Sequence, residues 1–380
     1  MQRLLIANRG EIAIRIARAA ADLGVASLAA YAPEDAASLH RLQADEAVAL
    51  EGRGAAAYLD IEQLVALATA HGCDAVHPGY GFLSENAQFA ERLEAAGITF
   101  VGPDSATLAA LGDKSEARTL AAQCGIPLLR GSDGPATLDE AHAFFKALDG
   151  APLIIKAVSG GGGRGMRVVE DAKALDAAYS RCASEAELAF GDPALYLEEY
   201  LPGARHVEVQ ILGDGSGAVS HLWERECSIQ RRRQKIVEIA PCPNMDEALR
   251  SDLSDAALRL GQAVNYRSAG TVEFLVSAGR SATGLAFIEA NARLQVEHTV
   301  TEEVTGIDLV RAQLQIADGA TLAELGLQQA SIPVPQGFAI QARINMETLG
   351  EDGSIKPAGG TLNLFELPTG PGLRTDSFGY

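Results

Sequence analysis

The N-terminal part of the chain alternates short apolar runs with longer amphipathic stretches. Apolar runs at residues 4–7, 25–31 and 75–77 are typical of buried strands, whereas residues 11–23 and 61–70 repeat apolar positions with a helical period. Because strands that alternate with helices usually pair in parallel, this pattern predicts a parallel sheet covered by helices. Binding loops are then expected at the carboxyl ends of the strands.

Two glycine-containing segments follow predicted strands. They are residues 8–10 and residues 77–81, and the second includes Tyr80 and Gly81. Both lie where the binding loops of such a sheet are expected. Glycine also makes ordinary turns between strands and helices, and for these glycines taken alone that is the better interpretation.

The rest of the chain predicts two further units. After a turn-rich connector at residues 130–135 comes a small unit, with strands at 153–157, 166–169 and 194–198 and a helix at 172–189. Beyond residue 205 lies a larger α+β unit, with strands at 207–212, 271–276 and 286–289 and helices at 246–265 and 305–317. We therefore divide the chain into an N-terminal domain (1–112), a small domain with its linker (113–204) and a large domain (205–380).

Composition indicates a globular protein with an acidic surface. Of the 380 residues 47% are hydrophobic, which is enough for a large core. The 31 Lys and Arg residues are outnumbered by 50 Asp and Glu residues, which gives a formal net charge of −19. A surface of that charge repels polyanions, so we expect no nucleic-acid partner.

Cysteine spacing and hydropathy bear on the compartment. The five cysteines include no CxxC pair and no spacing suited to zinc, which indicates buried thiols in a reducing environment. The N-terminal apolar run is too short for a signal peptide, and no later stretch reaches roughly 18 uninterrupted apolar residues. We expect a cytoplasmic protein without membrane association.

A run of glycines at residues 159–166 follows the predicted strand that carries Lys156. Consecutive glycines, among them Gly162 and Gly163, let backbone N–H groups approach a phosphate closely, and the lysine adds positive charge. The order of residues differs from a Walker A loop, and no helix follows directly. The segment therefore predicts a phosphate-binding flap between two antiparallel strands. The alternative is a flexible hairpin tip.

The strongest chemical pattern lies at residues 289–297. In an extended backbone alternate residues share a face, so five polar side chains would point one way: Glu289, Asn291, Arg293, Gln295 and Glu297. A half-exposed strand with a solvated face is the usual explanation of such alternation. Here the series of carboxylates, amides and a guanidinium instead resembles a site that holds a metal ion and an anion together.

A second carboxylate, Glu273, lies in a neighbouring predicted strand. Two carboxylates, an amide oxygen and phosphate oxygens suit Mg²⁺, with Mn²⁺ as an alternative. Arg293 would then be free to bind a planar anion in bidentate fashion, and Glu297 is placed to accept a proton from it.

Basic residues at 231–235 and the single His206 have two interpretations each. The basic run is either a solvated face or, at Lys235, a contact to a phosphoryl group or a substrate anion. His206 could contact nucleotide phosphates, although an isolated histidine is more often structural.

Seven segments together resemble the biotin carboxylase family of the ATP-grasp superfamily. They occur in family order along residues 1–346, at 6–13, 77–86, 111–114, 160–166, 205–210, 230–235 and 293–298. So many long motifs in one order make coincidence improbable, unlike a single glycine loop. The resemblance implies an ATP-grasp fold, of mixed α/β and α+β class, behind a Rossmann-like N-terminal domain.

The resemblance also implies a reaction and a role for each matching residue. MgATP would phosphorylate bicarbonate to carboxyphosphate, and the CO₂ that this releases would be captured by biotin on a carrier domain. The residues implied to bind the nucleotide are Lys114, Lys156, Gly162, Gly163, Glu198, Glu199, Tyr200, Leu201, His206 and Gln230. Those implied to hold the metal ion are Glu273, Glu289 and Asn291.

Bicarbonate and biotin have their own implied residues. Bicarbonate would be bound by Lys235, Arg293, Gln295 and the backbone of Val296, and Glu297 would deprotonate it. Arg343 would stabilise the biotin enolate, with Tyr80 and Gly81 lining that pocket. Arg233 stands where the family commonly has histidine, which bears on the geometry of biotin binding.

Partners follow from the same resemblance. The chain carries no biotin-accepting Met-Lys motif, and the family's C-terminal domain would continue past Tyr380. We therefore expect a fragment of a longer acyl-CoA or pyruvate carboxylase, with a biotin carboxyl carrier domain, a carboxyltransferase domain or subunit and a possible homodimer as partners. The final acyl acceptor is not indicated.

Two other functions are open at this point. An ATP-grasp carboxylate–amine or carbamoyl-phosphate-type ligase would share the nucleotide and metal residues but would assign no biotin role to Arg343 or Tyr80. A nucleotide-binding module without turnover would not need Arg293 and Glu297.

Overall fold

A computed structural model describes residues 1–132, 134–158, 165–277, 284–351 and 354–379. The predicted phosphate residues Gly162 and Gly163 lie outside the described residues. The fold contains an N-terminal parallel sheet, a small antiparallel sheet and a large antiparallel sheet. Both the parallel and the antiparallel parts predicted from the sequence are confirmed.

The N-terminal sheet has strand order β3-β2-β1-β4-β5 and is parallel throughout. Its elements are β1 (Arg3–Ile6), α1 (Gly10–Asp22), β2 (Ala26–Tyr31), α2 (Leu39–Gln43), β3 (Glu46–Ala49), α3 (Gly54–Ala57), α4 (Ile61–Ala70), β4 (Ala75–His77), α5 (Ala87–Ala95), β5 (Thr99–Phe100) and α6 (Ser105–Gly112). Leu5 packs in one hydrophobic cluster with α4 and α5, whereas Leu4 and Ile6 pack in another with α1. Helices therefore cover both faces of the sheet, as alternation along a buried strand requires.

The loops after β1 and β4 are joined by the side chain of Asn8. The Asn8 side-chain amide donates to the carbonyl oxygens of Pro78 at 2.7 Å and Tyr80 at 2.8 Å, so it fills the gap between the loops after β1 and β4. A Cβ on Gly79 would lie 2.8 Å from Asn8 Nδ2, which explains the glycine there. The glycines of both loops therefore make turns in this region.

The small sheet has order β7-β6-β8 and is antiparallel. After α7 (Lys114–Gln123), its elements are α8 (Leu138–Ala147), β6 (Leu153–Ala157), β7 (Met166–Val169), α9 (Leu175–Phe190) and β8 (Leu195–Glu199). The predicted hairpin on either side of the glycine run is confirmed, because Lys156 pairs with Met166.

The large sheet has order β13-β12-β9-β10-β11-β14 and is antiparallel. Its region contains β9 (Arg205–Asp214), β10 (Val219–Arg231), β11 (Gln234–Ala240), α10 (Glu247–Ala263), β12 (Arg267–Val276), β13 (Leu285–Asn291), α11 (His298–Thr305), α12 (Leu309–Ala317), β14 (Ala339–Ala342), β15 (Glu347–Leu349) and β16 (Ile355–Pro357). Strands β10 and β11 were not predicted, because they carry charged residues that are paired inside the fold and so lack an apolar pattern.

Two predicted boundaries need correction. The helix predicted at residues 305–317 is α12 alone, since α11 ends at Thr305 and Gly306 follows with a φ of 71°. The extended segment predicted across 289–297 ends as a strand at Asn291. The two differences lie at opposite ends of α11, a helix that the sequence pattern did not predict.

Segment 114–129 packs against the large sheet. Helix α7 contacts β13, and Leu128 forms a parallel bridge with Phe287. The chain then crosses to the small sheet, where Gly131 bridges Glu198. Lys114 is therefore anchored on the large sheet, while Lys156 belongs to the small one.

The cysteines and the apolar helices bear on the predicted compartment. Four of the five cysteines are buried, and all five are free thiols. No helix in the described ranges is long and apolar enough to cross a membrane.

Gly213 in β9 tests the packing of the large sheet. A Cβ there would lie 2.0 Å from the backbone oxygen of Tyr266, so Gly213→Ala must displace backbone and should lower the free energy of unfolding by about 3 kcal/mol, the upper end of overpacking costs. Urea denaturation measures this value. Gly112→Ala is the matched control because its Cβ meets no heavy atom within 4 Å. Equal stability of the two variants would contradict the packing described.

Candidate active site

A cleft of about 950 Å³ lies between the small sheet, the large sheet and the loop that carries Glu85. Most of the predicted site residues line it: Lys114, Lys156, Glu198, Glu199, Tyr200, Leu201, His206, Gln230, Lys235, Glu273, Glu289, Asn291, Arg293, Gln295, Glu297 and Arg343. Tyr80, Gly81 and Val296 are not among the lining residues. The structure therefore brings together residues that are spread over more than two hundred positions of the chain.

The predicted metal ligands occupy neighbouring strands. Glu273 on β12 lies directly opposite Glu289 on β13, and Thr271 lies opposite Asn291. The Asn291 amide donates to Glu273 Oε1 at 2.7 Å. Two carboxylates and an amide thus line neighbouring positions of the cleft, which is a donor set that fits a hard divalent cation, while the amide oxygen accepts a hydrogen bond from Arg293.

Electrostatics distinguish the two carboxylates. Burial raises the pKa of Glu289, the charge of Glu273 raises it further, and Lys114 and Lys156 only partly oppose this. Burial would also raise the pKa of Glu273, but Lys235 and His206 hold it well below its ordinary value. A cation between the two would relieve their repulsion, which supports the fit.

Lys235 is the centre of the charged network. Its Nζ donates to Glu208, to Glu273 Oε1 at 2.9 Å and to Glu297 Oε1 at 2.8 Å. Burial alone would lower the pKa of Lys235, but these three carboxylates raise it well above its ordinary value. All three donors of the ammonium group are therefore engaged.

Glu297 is fully buried and lies between two cations. Lys235 contacts one of its oxygens, and Arg343 Nη2 donates to Oε2 at 2.9 Å. Arg343 also donates from Nε to Glu238 at 2.7 Å. The predicted biotin residue therefore touches the predicted base directly, which the sequence separation concealed.

Arg293 has partners that the sequence did not indicate. Its Nε donates to Glu85 Oε2 at 2.8 Å, and its Nη2 donates to Asn291 Oδ1 at 3.1 Å. A carboxylate from the N-terminal region therefore holds one edge of the guanidinium, and the binding of an anion by Arg293 stays a prediction. The same contacts fix its orientation in the cleft.

The segment after Asn291 reaches the cleft without being a strand. Gln295 donates to Thr271 Oγ1 at 3.0 Å, and Glu297 is the N-cap residue of α11. The five polar side chains still share one cavity, although a turn rather than strand alternation places the last of them. The five side chains share one cavity, as predicted, but the predicted extended backbone ends at Asn291.

Positive charge gathers at the small-sheet end of the cleft. Lys156 contacts Glu198, whose other oxygen accepts from Arg118 Nη1 at 2.7 Å. Lys114 Nζ donates to the Ala157 carbonyl at 3.4 Å, and burial lowers its pKa. Lys156 lies on β6 of the small sheet and Lys114 begins α7, which packs against the large sheet, so an anionic ligand between the two lysines would join the two regions.

His206 lies beside Glu273, one of the predicted metal ligands, and Gln230 lies beside His206. His206 Nε2 is 2.5 Å from Glu273 Oε2, and Gln230 Nε2 is 2.8 Å from His206 Nδ1. Burial would lower the pKa of His206, but Glu273 raises it above the ordinary value. His206 is therefore coupled to the predicted metal ligand as well as lining the predicted nucleotide site.

Comparisons with known proteins place this cleft. The family described as "Biotin carboxylase, N-terminal domain" matches residues 1–108, and "Carbamoyl-phosphate synthase L chain, ATP binding domain" matches residues 113–325. The biotin carboxylase–β-γ-ATP complex from Campylobacter jejuni is 40% identical with a TM-score of 0.93, over 100% of this chain and 83% of that one. The chain belongs to the biotin carboxylase family.

Other relatives give the context of this chain. Mitochondrial pyruvate carboxylase of Mus musculus is 48% identical over 99% of this chain and 32% of its own length. The biotin carboxylase domain dimer of Hydrogenobacter thermophilus 2-oxoglutarate carboxylase, with MgADP and bicarbonate, is 40% identical with a TM-score of 0.94, over 100% of this chain and 82% of that one. The chain thus spans about a third of the curated relatives it matches, and its fold is the ATP-grasp fold.

Several residues of the cleft and of the charged network around Lys235 were missed in the sequence. Arg225 is wholly buried and donates to Glu208 at 2.5 Å, Gln210 at 2.7 Å and Thr301 at 2.9 Å. Glu208 could have been found, because it alternates with apolar residues on the strand that carries His206. Arg225 and Glu85 gave no such signal, since their partners are distant in sequence.

One further group has the geometry of a metal site but not the chemistry. Among the described residues, Glu208, Cys227 and Glu297 have ligand atoms within 4.8 Å of one another. Lys235 already bonds both carboxylates, and burial raises the pKa of Cys227 well above its ordinary value. This thiol stays protonated and the site is already neutralised, so a cation does not fit there.

Lys235→Met tests the central ammonium group. It leaves buried like charges unpaired and should lower the free energy of unfolding by about 3–5 kcal/mol at pH 8. Folded Glu208 and Glu273 have lowered pKa values, so the stability they contribute is present above their ordinary pKa and lost as pH falls through the folded one. Protonation relieves the repulsion in the variant, so the deficit should shrink at pH 5.

Urea denaturation at both pH values measures this deficit. Lys173→Met, at an exposed position, is the matched control and should change stability little at either pH. A deficit that is the same at pH 5 and pH 8 would show that lost packing, rather than charge, causes the effect.

Proposed function

We propose that this chain catalyses the biotin carboxylase half-reaction, in which MgATP activates bicarbonate and biotin on a carrier domain accepts the carboxyl group. The observation that carries the proposal is the bonding of Lys235, which joins the metal-side carboxylate Glu273 to the buried Glu297 in one cleft. A metal-bound phosphate, an anion and a base would then adjoin one another.

The nucleotide would bind across the two sheets. Lys114 and Lys156 would bind its phosphates, and residues 198–201 would border its base in the small domain. With domain boundaries at 112 and 204, the small domain would cover the nucleotide, and the large domain would carry the metal and bicarbonate residues. Mg²⁺, held by Glu273, Glu289 and Asn291, would neutralise phosphate charge.

Bicarbonate would bind beside Arg293, Gln295 and the Val296 N–H. Glu297 accepts the proton of bicarbonate, and the bicarbonate oxygen then attacks the γ-phosphorus, so that carboxyphosphate forms and ADP leaves. Because all three donors of Lys235 are engaged, its contact to bicarbonate requires release of one carboxylate. Glu297 is the carboxylate whose charge disappears on protonation.

Arg343 would serve the second step. Carboxyphosphate breaks down to CO₂ and phosphate, the released phosphate takes the proton of the biotin ureido N–H, and the ureido nitrogen forms its new bond to the carbon of CO₂. Arg343 would stabilise the negative charge on the ureido oxygen, and its contact with Glu297 in the same cleft supports this role. Tyr80 and Gly81 would lie further along the biotin path.

The proposed partners and compartment rest on the relatives of the chain and on its free thiols. The curated relatives are about three times as long as this chain, and one structural relative is a long-chain acyl-CoA carboxylase of several domains. We propose a carrier domain and a carboxyltransferase as partners, and a homodimer like the Hydrogenobacter domain. The free thiols support a cytoplasmic location, although some relatives are mitochondrial.

The rival function is a carbamoyl-phosphate-type ligase. It shares the ATP-binding family match, but the match at residues 1–108 is to the biotin carboxylase N-terminal domain, and this favours biotin. ADP release should depend on bicarbonate and increase with free biotin. Stimulation by ammonia instead of biotin would favour the rival, and ATP binding without turnover would favour a regulatory module.

Glu297→Gln tests the base. The amide keeps the volume but cannot accept the proton, so kcat for bicarbonate-dependent ATP cleavage should fall by roughly 10²- to 10⁴-fold while ATP affinity is retained. Steady-state ADP release and equilibrium ATP binding measure the two quantities. Near-normal turnover would show that another group is the base.

Arg343→Met tests the separation of the two steps. Slow ATP cleavage without biotin should stay within about tenfold of wild type, since Lys235 still holds Glu297, whereas carboxybiotin formation should be lost. The assay compares ADP release with ¹⁴C-carboxybiotin formation. Arg92→Met, which removes an exposed ion pair, is the control. An equal fall of both products would assign Arg343 to the first step.

A further inference from the structure

A buried histidine fixes the turn that carries the bicarbonate residues. His298 is the first residue of α11 and is 1% exposed. Its Nδ1 lies 2.8 Å from the Gln295 carbonyl oxygen, and its backbone N–H donates to the same oxygen at 3.3 Å. A carbonyl oxygen can only accept, so Nδ1 carries the proton in this contact. His298 therefore donates two hydrogen bonds to the Gln295 carbonyl oxygen, one from its side chain and one from its backbone.

The held carbonyl sets the direction of an N–H group. The Gln295 carbonyl and the Val296 N–H belong to one peptide unit, which is planar and trans, so the two groups point in opposite directions. With the carbonyl turned toward His298, the Val296 N–H points away from the imidazole. Among the described residues, no backbone or side-chain oxygen accepts a hydrogen bond from it.

Among the described residues the other ring nitrogen, Nε2, has no hydrogen-bond partner, and it faces an ion cluster. This nitrogen lies 3.9 Å from Glu302 Oε2, and Glu302 is bonded by Arg15 at 2.9 Å and by Arg374 at 2.8 Å. The ring is therefore enclosed between the turn and an ion cluster that joins the N-terminal helix α1 to α11. Burial lowers the pKa of His298 in spite of the Glu302 charge, which agrees with a neutral ring.

We propose that His298 is a positioning residue for bicarbonate, because it fixes the Gln295–Val296 peptide so that the Val296 N–H is aimed at the anion. This inference rests on the proposed function. A donor that is oriented before the anion arrives needs no reorganisation on binding. Without His298 the peptide can rotate, and bicarbonate loses a hydrogen bond to a charged acceptor.

Two substitutions of His298 separate this role from simple packing. In His298→Asn the side-chain amide can place a donor near the position of Nδ1, whereas His298→Leu fills the space without a donor. The loss of one hydrogen bond to an anion should raise the KM for bicarbonate roughly 10- to 100-fold in His298→Leu. The KM for ATP should not change, and His298→Asn should restore the bicarbonate KM toward that of wild type.

Thr305→Val is the matched control. Thr305 lies at the other end of α11 and donates to the Thr301 carbonyl at 2.7 Å, so its loss weakens the same buried helix without touching the turn. The proposal is overturned if Thr305→Val raises the bicarbonate KM as much as His298→Leu, or if the two His298 variants behave alike.

A spectroscopic measurement gives a second readout. In protein labelled with ¹⁵N-valine, the Val296 amide resonance can be assigned from its loss in Val296→Ile. Bicarbonate should shift this resonance in wild type and in His298→Asn but not in His298→Leu. If ATP cleavage by wild type does not depend on bicarbonate, the proposed function fails and this inference fails with it; bicarbonate dependence with an unchanged KM in His298→Leu overturns this inference alone.

Discussion

The arrangement of the cleft depends on one buried ammonium group. Glu208 on β9, Glu273 on β12 and Glu297 before α11 all converge on Lys235 of β11. Three carboxylates this close would repel one another strongly in a medium of low polarity. The ammonium group offsets this repulsion, and it ties together four segments of the chain that are distant in sequence.

The network continues outward in both directions from Lys235. Glu208 is bonded on its other oxygen by the buried Arg225, and Glu297 by Arg343, which also bonds Glu238. A buried charge with its partner removed is costly, so each of these groups constrains the next. The proposed entry of bicarbonate, itself an anion, therefore disturbs a balanced set of charges rather than filling an apolar pocket.

The N-terminal sheet contributes to this chemistry although it carries no ligand of the proposed metal ion. Glu85 orients Arg293 at 2.8 Å, and Arg15 bonds Glu302 beneath the turn that bears Glu297. The loops after β1 and β4, where a parallel sheet commonly binds ligands, are instead closed by Asn8. The N-terminal domain thus orients residues of the large domain from two sides.

Local sequence patterns were enough to predict the alternation of strands and helices in the N-terminal sheet, the hairpin around the glycine run and the polar series at residues 289–297, whereas most other residues of the cleft followed from the resemblance to the biotin carboxylase family. These features depend on periodicity or on motifs within a short stretch, such as the pairing of Glu273 with Glu289 across adjacent strands. Strands β10 and β11 and helix α11 were missed because their polar residues are satisfied by distant partners, which no local pattern records. The support of Glu208 by Arg225, the hold of Glu85 on Arg293 and the contact of Arg343 with Glu297 emerged only in the folded chain, since a buried ion pair is defined by where folding brings two charges together.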